Sequence, residues 1–290
     1  MDLAAIVAGL LITVGGLVVV AGIGLHAWMA GHHDRLRVPT GRAGALAGGH
    51  APRRQAREAR SARSARSPRA SRAAGNALVL ALGLAAVTLA AVGLGALVDN
   101  VTDGDGIAVL DHPVARFVVA HRTPLLTSVM KAISAAAGPA ALTAGVLAAG
   151  LLLGLAWRSW TPPVVLAATA AGAIGLTIVF KEALARPRPP LIHAVAAADG
   201  HGFPSGHAAA AAAVCGACAW LCSTRIRSWR ARVGIWAVAA MLAALVGFSR
   251  VYLGVHWVTD VLGGWAFGIL WLAVVVNGWA GITGLRPGQR

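Results

Sequence analysis

Residues 164–189 read VVLAATAAGAIGLTIVFKEALARPRP. From Val164 to Phe180 the run carries no charge, and then Lys181, Glu182, Arg186 and Arg188 follow closely. A helix needs about 20 mostly apolar residues to cross the hydrocarbon of a bilayer. The run therefore reads as a membrane span whose polar end begins at Lys181. Pro187 and Pro189 cannot continue a helix, so the chain leaves it there.

The rest of the chain agrees with this reading. Of 290 residues, 58% are apolar and 12% charged, against about 25% charged in an average soluble domain. That excludes a disordered protein and an ordinary soluble globule. Stretches near 3–25, 77–98, 132–156, 163–180, 205–222, 233–249 and 257–280 are long and apolar enough, or nearly so, to span. The Ala-rich stretch 205–222 suits a helix enclosed by others, where small residues let backbones approach. The expected fold is all-α, a polytopic membrane helix bundle. It would comprise an N-terminal transmembrane helix (1–30), an Arg-rich linker (31–72), a six-helix core (73–280) and a short tail (281–290). The first stretch reads as a retained span rather than a signal peptide: it lacks a basic start, and its uncharged run from Leu3 to Leu25 exceeds an h-region.

Charge orients the bundle. The formal net charge is +15. Residues 31–72 carry Arg at every third position from 54 to 72 and few large apolar groups, so they cannot bury a core. With that linker in the cytoplasm and seven alternating spans, 18 of the 25 basic residues face the cytoplasm, as the positive-inside rule asks. The expected location is the cell membrane. The linker is either a lipid-head-group strip or a solvated topology signal. Nucleic acid is not an expected partner, because no aromatic residue is interleaved with the basic ones. Cys215, Cys218 and Cys222 share one helical face and read as packing residues, with no His or carboxylate nearby to suggest a metal.

Three segments concentrate ionisable groups at the outer ends of spans, where such groups are costly and become functional candidates. The first runs from Lys181 to Pro189. The second, Pro204-Ser205-Gly206-His207, opens a helix whose free N–H groups make an anion site. The third, Ser249 to Asp260, includes Arg250 and His256. His256 and Asp260 are four apart, so on a helix they share a face, and the carboxylate can accept Nδ1–H and leave Nε2 as a directed lone pair. Three cations, a hydroxyl, helix N–H groups and two imidazoles suit binding and transfer of a phosphoryl group.

The motifs K-x6-R-P, P-S-G-H and S-R-x5-H-x3-D, met here at Lys181, Arg188 and Pro189, at Pro204 to His207, and at Ser249, Arg250, His256 and Asp260, resemble the signature of the type 2 phosphatidic acid phosphatase family. These lipid phosphatases are relatives of the vanadium-dependent haloperoxidases. The resemblance implies a six-helix core over about 75–280. It implies that Lys181, Arg188 and Arg250 hold phosphate oxygens, with Ser205 and the Gly206 N–H adding hydrogen bonds. It further implies that His256 attacks phosphorus, Asp260 orients it, and His207 serves the leaving group and then water, with no metal or other cofactor. The expected activity is hydrolysis of a lipid phosphomonoester or pyrophosphate at an extracytoplasmic site: polyprenyl pyrophosphate, phosphatidic acid or phosphatidylglycerol phosphate. A phosphotransferase on the same site and a non-catalytic anionic-lipid transporter or scaffold are the alternatives. Arg186 reads as a rim contact for a second phosphate. His193, Asp199 and His201 read as polar loop residues near the substrate's path, and His112 and His121 carry no assigned role.

Overall fold

The structure is a computed structural model that describes residues 87–88, 91–190 and 194–283. The expected spans at 3–25 and most of 77–98, the linker 31–72 and nearly all of the tail 281–290 lie outside the described residues. Those described are helical, without strands. Helix α1 covers 91–103 and is followed by a 3-10 turn, Gly106–Leu110. Then come α2 (Asp111–Ala120), α3 (Pro124–Ala136), α4 (Pro139–Trp157), α5 (Thr161–Leu184), α6 (Gly206–Arg225), α7 (Trp229–Tyr252) and α8 (Val258–Thr283). Five of them, α4 to α8, are long and apolar enough to cross a membrane.

Local sequence explains the boundaries. Thr123 accepts the Leu126 N–H and Pro124 occupies the first turn of α3, where a missing N–H costs nothing. The expected span 132–156 is in fact two helices. Gly138 is extended at φ −69° and ψ 164°, and Pro139 opens α4; proline disfavours helical geometry in the residue before it and supplies no N–H to bond back. The segment 99–127 is likewise mostly helical, forming a small cap at one end of the bundle. At the other end, Ser228 accepts the Ala231 N–H and starts α7.

Helix α6 lies at the centre, packed against α5, α7 and α8. Close approach depends on small residues, as membrane interfaces require. A Cβ on Gly264 would stand 2.5 Å from the Ser205 carbonyl oxygen, and one on Gly268 would stand 2.3 Å from that of Ala209. Helix α1 joins this centre through Leu94 and Val98, clustered with Phe180, Phe203, Phe267 and Leu270. The Phe180 and Phe267 rings meet edge to face at 4.3 Å. Leu147, Leu151, Leu152 and Leu155 of α4 point outward and exposed, as a lipid-facing surface would. Val118 of α2 and Met130 of α3 pack on Tyr252, Leu253 and Val255, tying the cap to the α7–α8 connection.

Candidate active site

Three chain reversals at one end of the bundle bring the polar segments together. The α5 helix ends at Ala185, a non-glycine residue at φ 44° whose N–H bonds the Lys181 carbonyl at 2.9 Å. This left-handed residue costs an L-amino acid roughly 1 kcal/mol and turns Arg186 and Arg188 back over the helix end. Arg188 is fixed along its length. Its Nε donates to the Gly200 carbonyl at 2.9 Å, Nη2 to the Asp199 carbonyl at 2.7 Å and Nη1 to the Val255 carbonyl at 2.7 Å. Lys181 donates to the carbonyls of His201 and Gly202. Both cations are thus aimed by the loop 194–205.

That loop delivers Ser205 to the start of α6. Its N–H bonds the Asp260 carbonyl at 2.9 Å, joining the starts of α6 and α8. The Phe203–Pro204 peptide is cis. No side chain caps α6, so its first N–H groups remain available to an anion. Among the described residues, the buried Ser205 hydroxyl has no hydrogen-bond partner, and neither does the buried Nε of Arg250. Arg250 lies in the last turn of α7 and donates through Nη1 to Ser134 of α3. His207, half-buried in the first turn of α6, lies in the field of Arg250, Arg188, Lys181 and His256.

His256 stands outside the helices, not on one with Asp260. It occupies the turn after α7, where Gly254 takes φ 72°, a conformation that favours glycine. Asp260 belongs to the first turn of α8. One oxygen, Oδ2, accepts the Trp257 N–H at 3.0 Å, as the reaching-back carboxylate of a capping box does. The same oxygen lies 3.2 Å from His256 Nδ1, and Arg188 Nη1 lies 3.1 Å from His256 Nε2. An arginine can only donate and a carboxylate only accepts. The neutral ring therefore carries its proton on Nδ1, and the Nε2 lone pair faces the cation. Burial pushes the His256 pKa down to about 4; hydrogen bonding and charge from Asp260 oppose this, while Arg188 and Lys181 reinforce it. Burial also lowers the Arg188 pKa, against Asp260 and Asp199.

Lys181, Arg188, Ser205, Gly206, His207, Arg250, His256 and Asp260 therefore share one end of the bundle. Arg186 is the exception to expectation. It is no rim residue: Nη2 donates to Asp111 at 2.8 Å and Nη1 to Asp260 at 2.5 Å, so its charge is spent within the protein. Asp111, Thr259 and Ser134 had no signal in the sequence, because their partners are more than 70 residues away. The Trp257 indole donates to the Pro187 carbonyl at 3.1 Å and clamps the Arg186–Arg188 turn. Asp199 and His201 contribute backbone carbonyls to the cations. Among the described residues, no group of three or more His, Cys, Asp or Glu is arranged to hold a metal ion. The three cysteines are free thiols, each half-buried.

The arrangement brings cations, uncapped helix N–H groups and two imidazoles to one end of the bundle, a donor set suited to an anionic group. The model of the PAP2 superfamily matches residues 160–282, which contain the whole constellation except Asp111 and Ser134. Phosphatidylglycerophosphatase B of Bacillus subtilis is 32% identical over 164 residues, covering 55% of this chain and 78% of that protein. The chain belongs to the PAP2 superfamily. Its helices superpose on the crystal structure of a transmembrane PAP2 type phosphatidylglycerolphosphate phosphatase from Bacillus subtilis with a TM-score of 0.60. Identity there is 29%, over 67% of this chain and 98% of that one. A shorter match, 50% over 34 residues, links it to an undecaprenyl-diphosphatase of Sulfolobus acidocaldarius, covering 12% of this chain and 16% of that protein. This PAP2 member is a multi-pass membrane lipid phosphatase, as its kinship and the five helices long and apolar enough to span among the described residues support.

Proposed function

We propose that the protein hydrolyses a lipid phosphomonoester, with phosphatidylglycerol phosphate the leading substrate, through a phosphohistidine formed on His256. The observation that carries the reading is the His256 ring, with Nδ1 toward Asp260 and Nε2 toward Arg188; the buried Ser205 hydroxyl and Arg250 Nε, which have no hydrogen-bond partner among the described residues, lie at the same end of the bundle. The choice of lipid rests on the names of the two Bacillus subtilis relatives. Polyprenyl pyrophosphate and phosphatidic acid are the competing substrates.

Lys181, Arg188 and Arg250 would hold the non-bridging phosphate oxygens, with Ser205 and the Gly206 N–H adding hydrogen bonds. These preorganised donors stabilise charge that develops in the transition state, commonly the largest catalytic contribution. His256 Nε2 attacks phosphorus; the N–P bond forms as the P–O bond to the lipid breaks, and His207 protonates the departing oxygen. His207 then takes a proton from water, the water oxygen attacks phosphorus, the N–P bond breaks and inorganic phosphate leaves. Asp260 offsets the positive charge that His256 acquires. The cations are protein side chains, so this reading requires no metal.

Arg158, Arg225, Arg227, Arg230 and Arg232 cluster at the helix ends opposite the site, so the positive-inside rule supports an extracytoplasmic site in the cell membrane. The lipid tail can remain in the bilayer while its head group reaches the cations. A single Cys placed at 195 should react with an impermeant thiol reagent from outside, and one at 228 should not.

The deciding experiment is phosphate release by purified protein over a panel of these lipids, with His256→Ala as control. Release that survives in His256→Ala removes the mechanism. Transfer to an acceptor other than water would give phosphorylated acceptor in place of free phosphate.

A further inference from the structure

Arg186 is held between two carboxylates drawn from distant parts of the chain. Asp111 Oδ2 accepts from Arg186 Nη2 at 2.8 Å and from the Thr259 hydroxyl at 2.6 Å, and Asp111 Oδ1 accepts the Thr259 N–H at 3.0 Å. Arg186 Nη1 donates to Asp260 Oδ1 at 2.5 Å and to the Thr259 hydroxyl at 2.8 Å. The other oxygen of Asp260 serves His256 and the Trp257 N–H. Asp111 is 3% exposed and Asp260 fully buried.

The division of labour on Asp260 has a chemical meaning. A carboxylate supports an imidazole best when one oxygen is fixed toward the ring and its charge is not neutralised elsewhere. Arg186 fixes the first condition by occupying Oδ1. Alone, that cation would draw the Asp260 charge away from His256. Asp111 shares the guanidinium, so the trio of Asp111, Arg186 and Asp260 keeps one net negative charge beside the ring. A planar fork that reaches two carboxylates at once is a task for arginine rather than lysine.

We infer that Asp111, acting through Arg186, is a positioning residue that sets the orientation and effective charge of Asp260 and thereby the nucleophilicity of His256. The inference rests on the reading of His256 as nucleophile. It gives the cap helix α2 a role in the chemistry, although that helix precedes the segment matched by the family model. His256 is faced by Arg188, Lys181, His207 and Asp260, and only the last of these is touched by the Arg186 fork.

The test measures phosphate release by full-length protein from phosphatidylglycerol phosphate in detergent micelles, across the acid and neutral range. Asp111→Asn and Arg186→Gln should each lower kcat by about tenfold or more, the size of a lost charge-assisted hydrogen bond, with little change in KM. The acid limbs of their kcat/KM profiles should move in opposite directions. Removing the Asp111 charge disfavours the imidazolium and shifts the limb to lower pH; removing the Arg186 charge favours it and shifts the limb to higher pH. Asp111→Glu and Arg186→Lys, which keep both charges, should keep the limb near its original position and remain informative if the first pair fails to fold. Normal kcat in Asp111→Asn, or limbs that move together or not at all, overturns the inference. Full activity in His256→Ala would overturn the underlying reading as well, whereas an inactive His256→Ala beside a normal Asp111→Asn removes only the role of Asp111.

Discussion

Arg188 Nη1 lies 3.1 Å from His256 Nε2 and 2.7 Å from the Val255 carbonyl oxygen. The guanidinium therefore donates toward the lone pair of the proposed nucleophile. On the proposed reading, a bound phosphoryl group would share this cation with the Nε2 lone pair. Arg188→Lys keeps the charge but loses the fork. Its kcat/KM should fall by about 10²-fold, in the range seen for loss of one preorganised donor. A change smaller than about threefold, read against the same scale, would mean that Arg188 is only a structural tie.

In Asp260→Asn the amide oxygen can still accept from the Trp257 N–H, but its NH2 group then faces the Arg186 donor, so the unfolding temperature should fall as well. Turnover should drop by orders of magnitude, toward the about 10⁴-fold loss that follows when an imidazole loses its orienting carboxylate. Thermal unfolding in detergent, run beside the kinetics, separates the two effects. Near-normal turnover would remove Asp260 from the mechanism.

The pH dependence follows from the burial of His256. Its pKa is pushed down to about 4, so the neutral, nucleophilic form dominates at every pH above that value. The nucleophile's acid limb in kcat/KM should fall near pH 4 and not near the ordinary histidine value of about 6.5. Stability shares this direction. The unfolded chain takes up the His256 proton at about pH 6.5 and the folded chain only near 4, so the contribution is full above the first value and is lost as pH falls through the window. A limb at the ordinary value in the kinetic profile would contradict the buried geometry.

Gly268→Val tests the packing of α6 on α8. The first added carbon would stand 2.3 Å from the Ala209 carbonyl oxygen, so the helices must separate. Overpacking of this kind costs about 1–3 kcal/mol. Because Ser205 and Asp260 are joined through the same pair of helices, activity should fall together with the unfolding temperature. Unchanged behaviour in both would show that the contact is not tight.

Chelators should leave phosphate release intact, because the cations proposed to neutralise the substrate are Lys181, Arg188 and Arg250. Vanadate should inhibit by occupying the same cradle. A requirement for added magnesium would contradict a site built from side chains alone.

Much of this was legible in the chain. The uncharged run ending at Lys181, the proline pair, and the short motifs at 204–207 and 249–260 locate the helix ends and the residues gathered there, because each signal is local. What was not legible depends on distance. Asp111 meets Thr259 across 148 residues, and no spacing rule connects them. Arg186 reads in the sequence as a rim contact for a second phosphate because its two counter-charges arrive from elsewhere. The break at Gly138-Pro139 was hidden by the apolar character of both flanks, where composition outweighed the one proline that ends the continuity. His256 shares a four-residue interval with Asp260, yet the preceding glycine turn takes it off the helix.

The tie between Asp111 on α2 and Thr259 on α8 also bears on how the protein is made. A chain emerging from the ribosome must complete the segments from α3 to α7 before the two ends of that bond can meet. Until then the growing polypeptide holds the Lys181 and Arg188 cations but lacks His256, the proposed nucleophile. On the proposed reading, the phosphate site would be complete only once α8 is in place.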